Sequence, residues 1–188
     1  MTDENPNISP TAEAPKQNSG WSFMEFIKFA VIAAIIVLPI RFFIAEPFLV
    51  RGESMNPTFK NNDYLIVEKI GYRFEKPLRG EIVIFSSPSE QGRDLIKRII
   101  GLPGETVEID GTKVTIVQTD GTRLTLEEPY IDYNSISPKT GTVLKDGEYF
   151  VMGDNRPNSY DSRGWGVLPF KNIIGRPLIR FFHFDKIG

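Results

Sequence analysis

The 188-residue chain contains no cysteine and only one histidine. Disulfides, thiolate nucleophiles and cysteine-bound zinc are therefore excluded, and a lone imidazole cannot build a histidine metal centre. A histidine base would have to be His183, far out in the C-terminal tail. Excess charge is missing too: 22 Lys and Arg stand against 24 Asp and Glu, a net charge of −2. The basic footprint of a nucleic-acid binder is absent, so nucleic acid is a poor partner. No internal repeat and no βαβ alternation appear. Long apolar runs are scarce, the longest being Phe29 to Ile40, shorter than the roughly 20 residues of a membrane span.

That run has flanks which extend it. Between Trp21 and Ala45 the only polar residues are Ser22, Glu25, Lys28 and Arg41. Lys28 and Arg41 lie near opposite ends, where long cationic side chains reach water from within a bilayer. Phe26 to Ala45 then supplies about 20 residues at about 1.5 Å rise each, enough to span. The alternative is a buried amphipathic helix. A cleaved leader is disfavoured, because Phe43-Ile44-Ala45 lacks the first small residue of an A-x-A site. Residues 1–20, rich in Asn, Pro, Thr, Ser and acidic groups, carry no apolar period and read as a disordered tail. The expectation is a tail over 1–20, a single transmembrane anchor over 21–45 and a β-rich catalytic domain over 46–188. The acidic tail gives the positive-inside bias little to act on, so charge alone does not orient the anchor.

Past Pro47 the pattern turns to β. Short β-branched or aromatic runs lie at 64–68, 81–85, 107–109, 113–117, 123–126 and 148–152. Asp110-Gly111, Asp120-Gly121 and Asp146-Gly147 are hairpin dipeptides between them, and 105–126 is expected to form an antiparallel meander. The predicted fold class is mainly β, an antiparallel sheet domain following one N-terminal helix.

Three segments carry chemistry. Ser54 stands between Gly52 and Pro57, in a segment that suggests a fixed turn around an exposed hydroxyl. A backbone amide at such a turn can receive an oxyanion. An ordinary loop serine bonded to its own backbone fits the same residues. Lys97 lies in an apolar run, and strand alternation over 95–100 puts it on the face of Leu95 and Ile99, with Arg98 opposite. An ammonium among apolar neighbours is costly unless it loses its proton, which is the condition for a lysine base. A lysine whose stem packs and whose head reaches water is the plainer account. The third segment, Met152 to Gly166, crowds Asp154, Arg156, Ser159, Asp161, Ser162 and Arg163 behind an apolar strand. It reads either as bracing for a site or as a solvated turn with an Asp161–Arg163 ion pair worth about 0–1 kcal/mol.

In order along the chain, Gly52-Glu53-Ser54-Met55-Asn56-Pro57-Thr58, Tyr64 to Lys69, Lys97-Arg98-Ile99-Ile100-Gly101-Leu102-Pro103-Gly104-Glu105 and Gly153-Asp154-Asn155-Arg156 with Asn158-Ser159 and Asp161-Ser162-Arg163 resemble bacterial type I signal peptidases. The resemblance runs from the anchor to about Pro169. It implies a serine endopeptidase with Ser54 as nucleophile, Lys97 as general base and the Ser159 hydroxyl orienting the lysine amine. Arg98, Asp154, Asp161 and Arg163 are implied to support the site. Part of that family has an oxyanion-binding serine where this chain has Gly52, so backbone amides, with that of Ser54, are expected to serve. Pro157 replaces a commonly acidic residue, leaving no charge role there. Val50, Met55, Phe59, Leu95 and Ile96 match positions lining shallow apolar pockets, though each also suits an ordinary core.

The implied substrates are the signal peptides of exported preproteins, cut after small residues at −1 and −3, on the outer face of the bacterial cytoplasmic membrane. The lipid bilayer is the other expected partner, with Phe42, Phe43 and Phe48 seating the domain at the interface. No cofactor and no metal are called for, and no signal for oligomeric state is present. Two rivals remain: a self-cleaving repressor type with a similar dyad, which normally carries a DNA-binding module, and a tethered β domain that scaffolds without catalysis.

Overall fold

The computed structural model describes residues 22–39, 45–132 and 135–181. The expected disordered tail lies outside them, as do Arg41, Phe42, Phe43, Phe182, His183 and Phe184. The chain divides into two units, 1–37 and 38–188.

The first unit holds helix α1 (Phe23–Pro39) except its last two residues. Its start is capped by Glu25, whose Oε2 accepts from the Ser22 N–H at 3.0 Å, while the Ser22 carbonyl accepts from the Glu25 and Phe26 N–H groups of the first turn. It ends at Pro39. Large apolar side chains, among them Phe26, Phe29, Ile32, Ile35 and Ile36, are exposed. Seventeen residues rise about 25 Å, and among the described residues no helix is long and apolar enough to cross a membrane.

The second unit is antiparallel β throughout. Its strands are β1 (Ala45–Leu49), β2 (Tyr64–Glu68), β3 (Ile82–Ser86), β4 (Asp94–Gly101), β5 (Thr106–Gly111) and β6 (Lys113–Val117). β7 (Arg123–Thr125), β8 (Ser137–Val143), β9 (Glu148–Met152), β10 (Leu168–Pro169) and β11 (Ile173–Phe181) complete them, with a short helix α2 (Ser162–Trp165) before β10. A seven-stranded sheet runs β1-β2-β11-β3-β4-β9-β10, and a four-stranded sheet runs β7-β6-β5-β8.

The apolar runs are continuous rather than alternating where both sheet faces are covered. In β3, Val83 and Phe85 join a cluster with Ile99, Tyr149, Val151 and Leu168, while Ile84 joins Val50, Met55, Phe59, Leu65, Val67 and Ile96 on the other side. A third cluster, of Ile100, Val107, Ile109, Val114, Ile116, Leu144, Phe150 and Met152, ties the two sheets together. Gly101 makes that junction possible, since a Cβ there would lie 2.7 Å from Leu144 Cδ1.

The expected meander is present as β5-β6-β7, and Gly111 (φ 64°) and Gly121 (φ 86°) take the left-handed turn conformations of its hairpins. Four strands have no counterpart in the sequence reading. β1 begins at Ala45, the residue expected to close the anchor. β8 (SPKTGTV) is a mostly exposed edge strand with little apolar pattern to reveal it. β11 carries Gly175 and Pro177, ordinarily strand breakers; a register shift between Pro177 and Ile179 accommodates the proline, and Gly175 lets the Glu68 carbonyl approach. β10 is two residues long.

Candidate active site

Ser54 sits in the connection from β1 to β2. The base of that loop is closed by Val50 N–H on the Asp63 carbonyl (2.9 Å) and Asn62 N–H on the Val50 carbonyl (2.8 Å). Met55 and Phe59 turn inward and are buried with Val50, so the serine is held between two apolar anchors. Gly52 has φ 94°, and its N–H donates to Asn61 Oδ1 at 2.9 Å. That amide is thus already engaged, whereas the sequence reading reserves it for an oxyanion. The Ser54 N–H has no intramolecular acceptor among the described residues.

Lys97 comes from the middle of β4, paired with Val83 of β3. It is 3% exposed, and its Nζ lies 2.7 Å from Ser54 Oγ and donates to the Ile96 carbonyl at 3.0 Å. Burial lowers its pKa from 10.5 to about 8, chiefly by desolvating the ammonium. Asp161 and Asp154 pull the other way, while Arg93 and Arg163 add to the lowering. An amine with that value holds a usable neutral fraction at neutral pH, beside a hydroxyl within hydrogen-bond reach.

Behind the pair lies a polar network in which every charge is matched. Asp154, fully buried, receives Arg98 bidentately through Nε (2.8 Å) and Nη2 (2.6 Å) and also accepts from Thr58 Oγ1 at 2.5 Å. Arg98 further donates to the Gly80 carbonyl and lies 3.9 Å over the Tyr130 ring. Asp161 receives Arg163 through two nitrogens, each at 2.8 Å, and the Gly153 N–H at 3.0 Å. Neither carboxylate hydrogen-bonds to Ser54 or Lys97. The Arg98 pair instead ties the segment after β9 to β4, Thr58 joins the serine loop to that pair, and the Asp161–Arg163 pair fixes the segment's own turn.

The contact between those segments is close. Asn155 N–H donates to the Ser54 carbonyl at 3.0 Å, and its Nδ2 donates to the Glu53 carbonyl at 3.1 Å. A Cβ at Gly153 would collide with the Ser54 carbonyl and with Ser159 Oγ, so only glycine lets the two segments meet. Ser159 Oγ is buried there and makes no hydrogen bond, to Lys97 or to any other described group.

A cleft of about 430 Å³ opens at the pair, walled by 48–53 on one side and 93–97 on the other. Of the five residues named as pocket candidates, Val50, Leu95 and Ile96 line the cleft, and Met55 and Phe59 are packed in a core cluster with Val50 and Ile96. Four participants have no role assigned in the sequence analysis: Thr58 and Asn155, which stand in its motifs, and the pair Glu128 and Tyr130. Glu128 accepts from Tyr130 Oη at 2.7 Å and from both terminal nitrogens of Arg156, one at 2.9 Å. Tyr130 and Glu128 are neighbours, but the partners of Thr58, Asn155 and Glu128 on other elements lie 28 to 102 residues away, and only the fold brings them together.

A family model described as signal peptidase, peptidase S26, matches residues 23–182. A signal peptidase I of Leptolyngbya laminosa is 41% identical over 100% of this chain and 92% of its own length. A probable signal peptidase I-1 of Synechocystis sp. is 43% identical over 90% of this chain and 88% of its own. A crystal structure of an Enterococcus faecalis signal peptidase I, 32% identical, matches 54% of this chain and 97% of that one with a TM-score of 0.44. The chain belongs to the S26 signal peptidase family.

Proposed function

We propose that the chain is a membrane-anchored serine endopeptidase that removes signal peptides from exported preproteins, cutting after small residues at −1 and −3. The observation that carries this reading is the 2.7 Å approach of a buried lysine amine to the Ser54 hydroxyl. Neutral Lys97 takes the proton as Ser54 Oγ attacks the scissile carbonyl carbon. The oxyanion forms against the free Ser54 N–H. Lys97, now an ammonium, protonates the departing amine and leaves an ester on Ser54. Water attacks that ester, giving its proton to Lys97, which returns one to Ser54 Oγ as the signal peptide leaves.

Arg98, Asp154, Asp161 and Arg163 support the site in this scheme, the first two by tying the segment after β9 to β4 beside Lys97 and the last two by fixing that segment's turn. The substrate enters as a strand. On the β9 side of β4, pairing starts only at Arg98, so residues 94–97 present an open edge to an extended peptide. Val50, Leu95 and Ile96 beside that edge suit small side chains.

Residues 21–45 serve as the anchor in this reading, with the β domain on the outer face of the cytoplasmic membrane. Support comes from the exposed Phe and Ile side chains of α1, which suit lipid better than water. From Arg41, Ser54 is tethered within a few tens of ångströms of the bilayer at about 3.6 Å per residue. Incubation of the detergent-solubilised protein with a preprotein tests the proposal: processed product is expected from the parent and none from Ser54→Ala. Processing by Ser54→Ala near the parental rate would overturn it.

A further inference from the structure

A second groove, of about 360 Å³, opens between the start of β8 and the 156–164 segment. Ile136, Ser137, Pro138 and Thr140 form one wall, and Pro157 and Tyr160 the other. Tyr160 also lines the cleft at Ser54 and Lys97, so the two depressions share a wall. Ser159, which lines this groove, packs at Gly153 beside the Ser54 carbonyl. The groove thus adjoins the cleft at Tyr160 and comes through Ser159 to the neighbourhood of the Ser54 carbonyl, while Leu95 and Ile96 line the cleft alone.

Its walls suit a peptide. β8 is an edge strand, paired only with β5, and residues 138–141 are exposed in succession. Such an edge presents backbone donors and acceptors to any chain laid beside it. Ile136 is 85% exposed and Tyr160 57%. The Tyr160 ring nonetheless has a seat, since a Cβ at Gly164 would stand 2.7 Å from its Cε2. The groove's two arginines offer no free charge: Arg156 is committed to Glu128 and Arg163 to Asp161.

We infer that this groove receives the first residues of the mature protein, extended along β8, as they run on from the scissile bond. The inference rests on the catalytic reading above. With the signal peptide along β4 and its final carbonyl at Ser54, the chain must continue past the serine, and the depression contiguous with the cleft there is this one. Apolar and hydroxyl-bearing walls match a short uncharged segment better than a cluster of like charges.

Two substrates sharing one signal peptide and cleavage site separate the possibilities, one with about ten mature residues and one ending two residues past the cut. Ile136→Asp, at an exposed position outside the catalytic machinery, is expected to raise KM for the long substrate about threefold or more, with kcat unchanged and the short substrate unaffected. A photo-crosslinker at the fourth mature residue, bound to Ser54→Ala protein, is expected to label 135–140 or 157–164. Equal response of both substrates to Ile136→Asp, or labelling confined elsewhere, would overturn the groove while leaving the catalytic reading in place. If the parent protein cleaved neither substrate, the catalytic reading and the groove would fall together.

Discussion

At the scale of single residues, the site depends on keeping an amine uncharged. With its pKa lowered to about 8, Lys97 is mostly protonated at pH 6 and mostly neutral at pH 9. A base must be deprotonated to act, so activity is expected to rise with pH through about 8 and then level off. A pH profile of kcat/KM checks this, and a limb that falls across the same window would contradict the assignment. Lys97→Arg keeps the charge but cannot deprotonate, so it should be as inactive as Lys97→Ala. Asn155→Ala should lower kcat roughly tenfold with KM little changed, because it frees the Glu53 carbonyl and loosens the nucleophile loop without touching the cleft walls. Steady-state kinetics with one preprotein measure both. Ser54 and Lys97 stand out in the sequence because each sits in a short run of diagnostic neighbours. Thr58 and Asn155 lie in such runs as well, but their contacts do not show there, because their partners lie 96 and 102 residues away and no local pattern encodes the pairing. Gly52 marks the limit of such reading: the glycine was visible, but the capture of its amide by Asn61 was not.

At the scale of elements, β4 does two tasks with adjacent residues. Lys97 faces the serine, and Arg98 next to it locks onto Asp154 at the end of β9. Asp154 is 0% exposed, so Arg98→Ala strands a buried carboxylate that keeps only Thr58 as a side-chain donor. Removing one partner of a buried pair costs about 3–5 kcal/mol, and a loss of unfolding free energy of that order, read as a lower urea midpoint at unchanged m, is expected. Arg98→Lys should recover part of it, lacking the second arm of the bidentate pair. A midpoint unchanged in Arg98→Ala would mean the pair contributes little. The elements that sequence analysis reads well are those whose apolar runs are buried, such as β2, β6 and β9, whose ranges agree with the runs at 64–68, 113–117 and 148–152. β8 and β11 are set by pairing partners and by a bulge around Pro177, neither of which leaves a periodic trace.

At the scale of the whole molecule, the question is where the chain places its β domain. The helix Phe23–Pro39 has exposed phenylalanine and isoleucine, with Lys28 inside it and Arg41 following in sequence. Seventeen helical residues fall short of a span, so residues beyond Pro39 must contribute if the anchor is to cross. The proposed substrates emerge on the outer face of the cytoplasmic membrane, which requires the β domain there and Met1 inside. Protease added to intact spheroplasts should therefore degrade an epitope at Gly188 and spare one at Met1 until the membrane is lysed. Protection of the Gly188 epitope would place the domain inside, and loss of both without lysis would put both ends outside. A third result bears on the anchor itself: if carbonate extraction released the protein from the membrane fraction, α1 would rest on the surface, where its Phe and Ile side chains can also be buried.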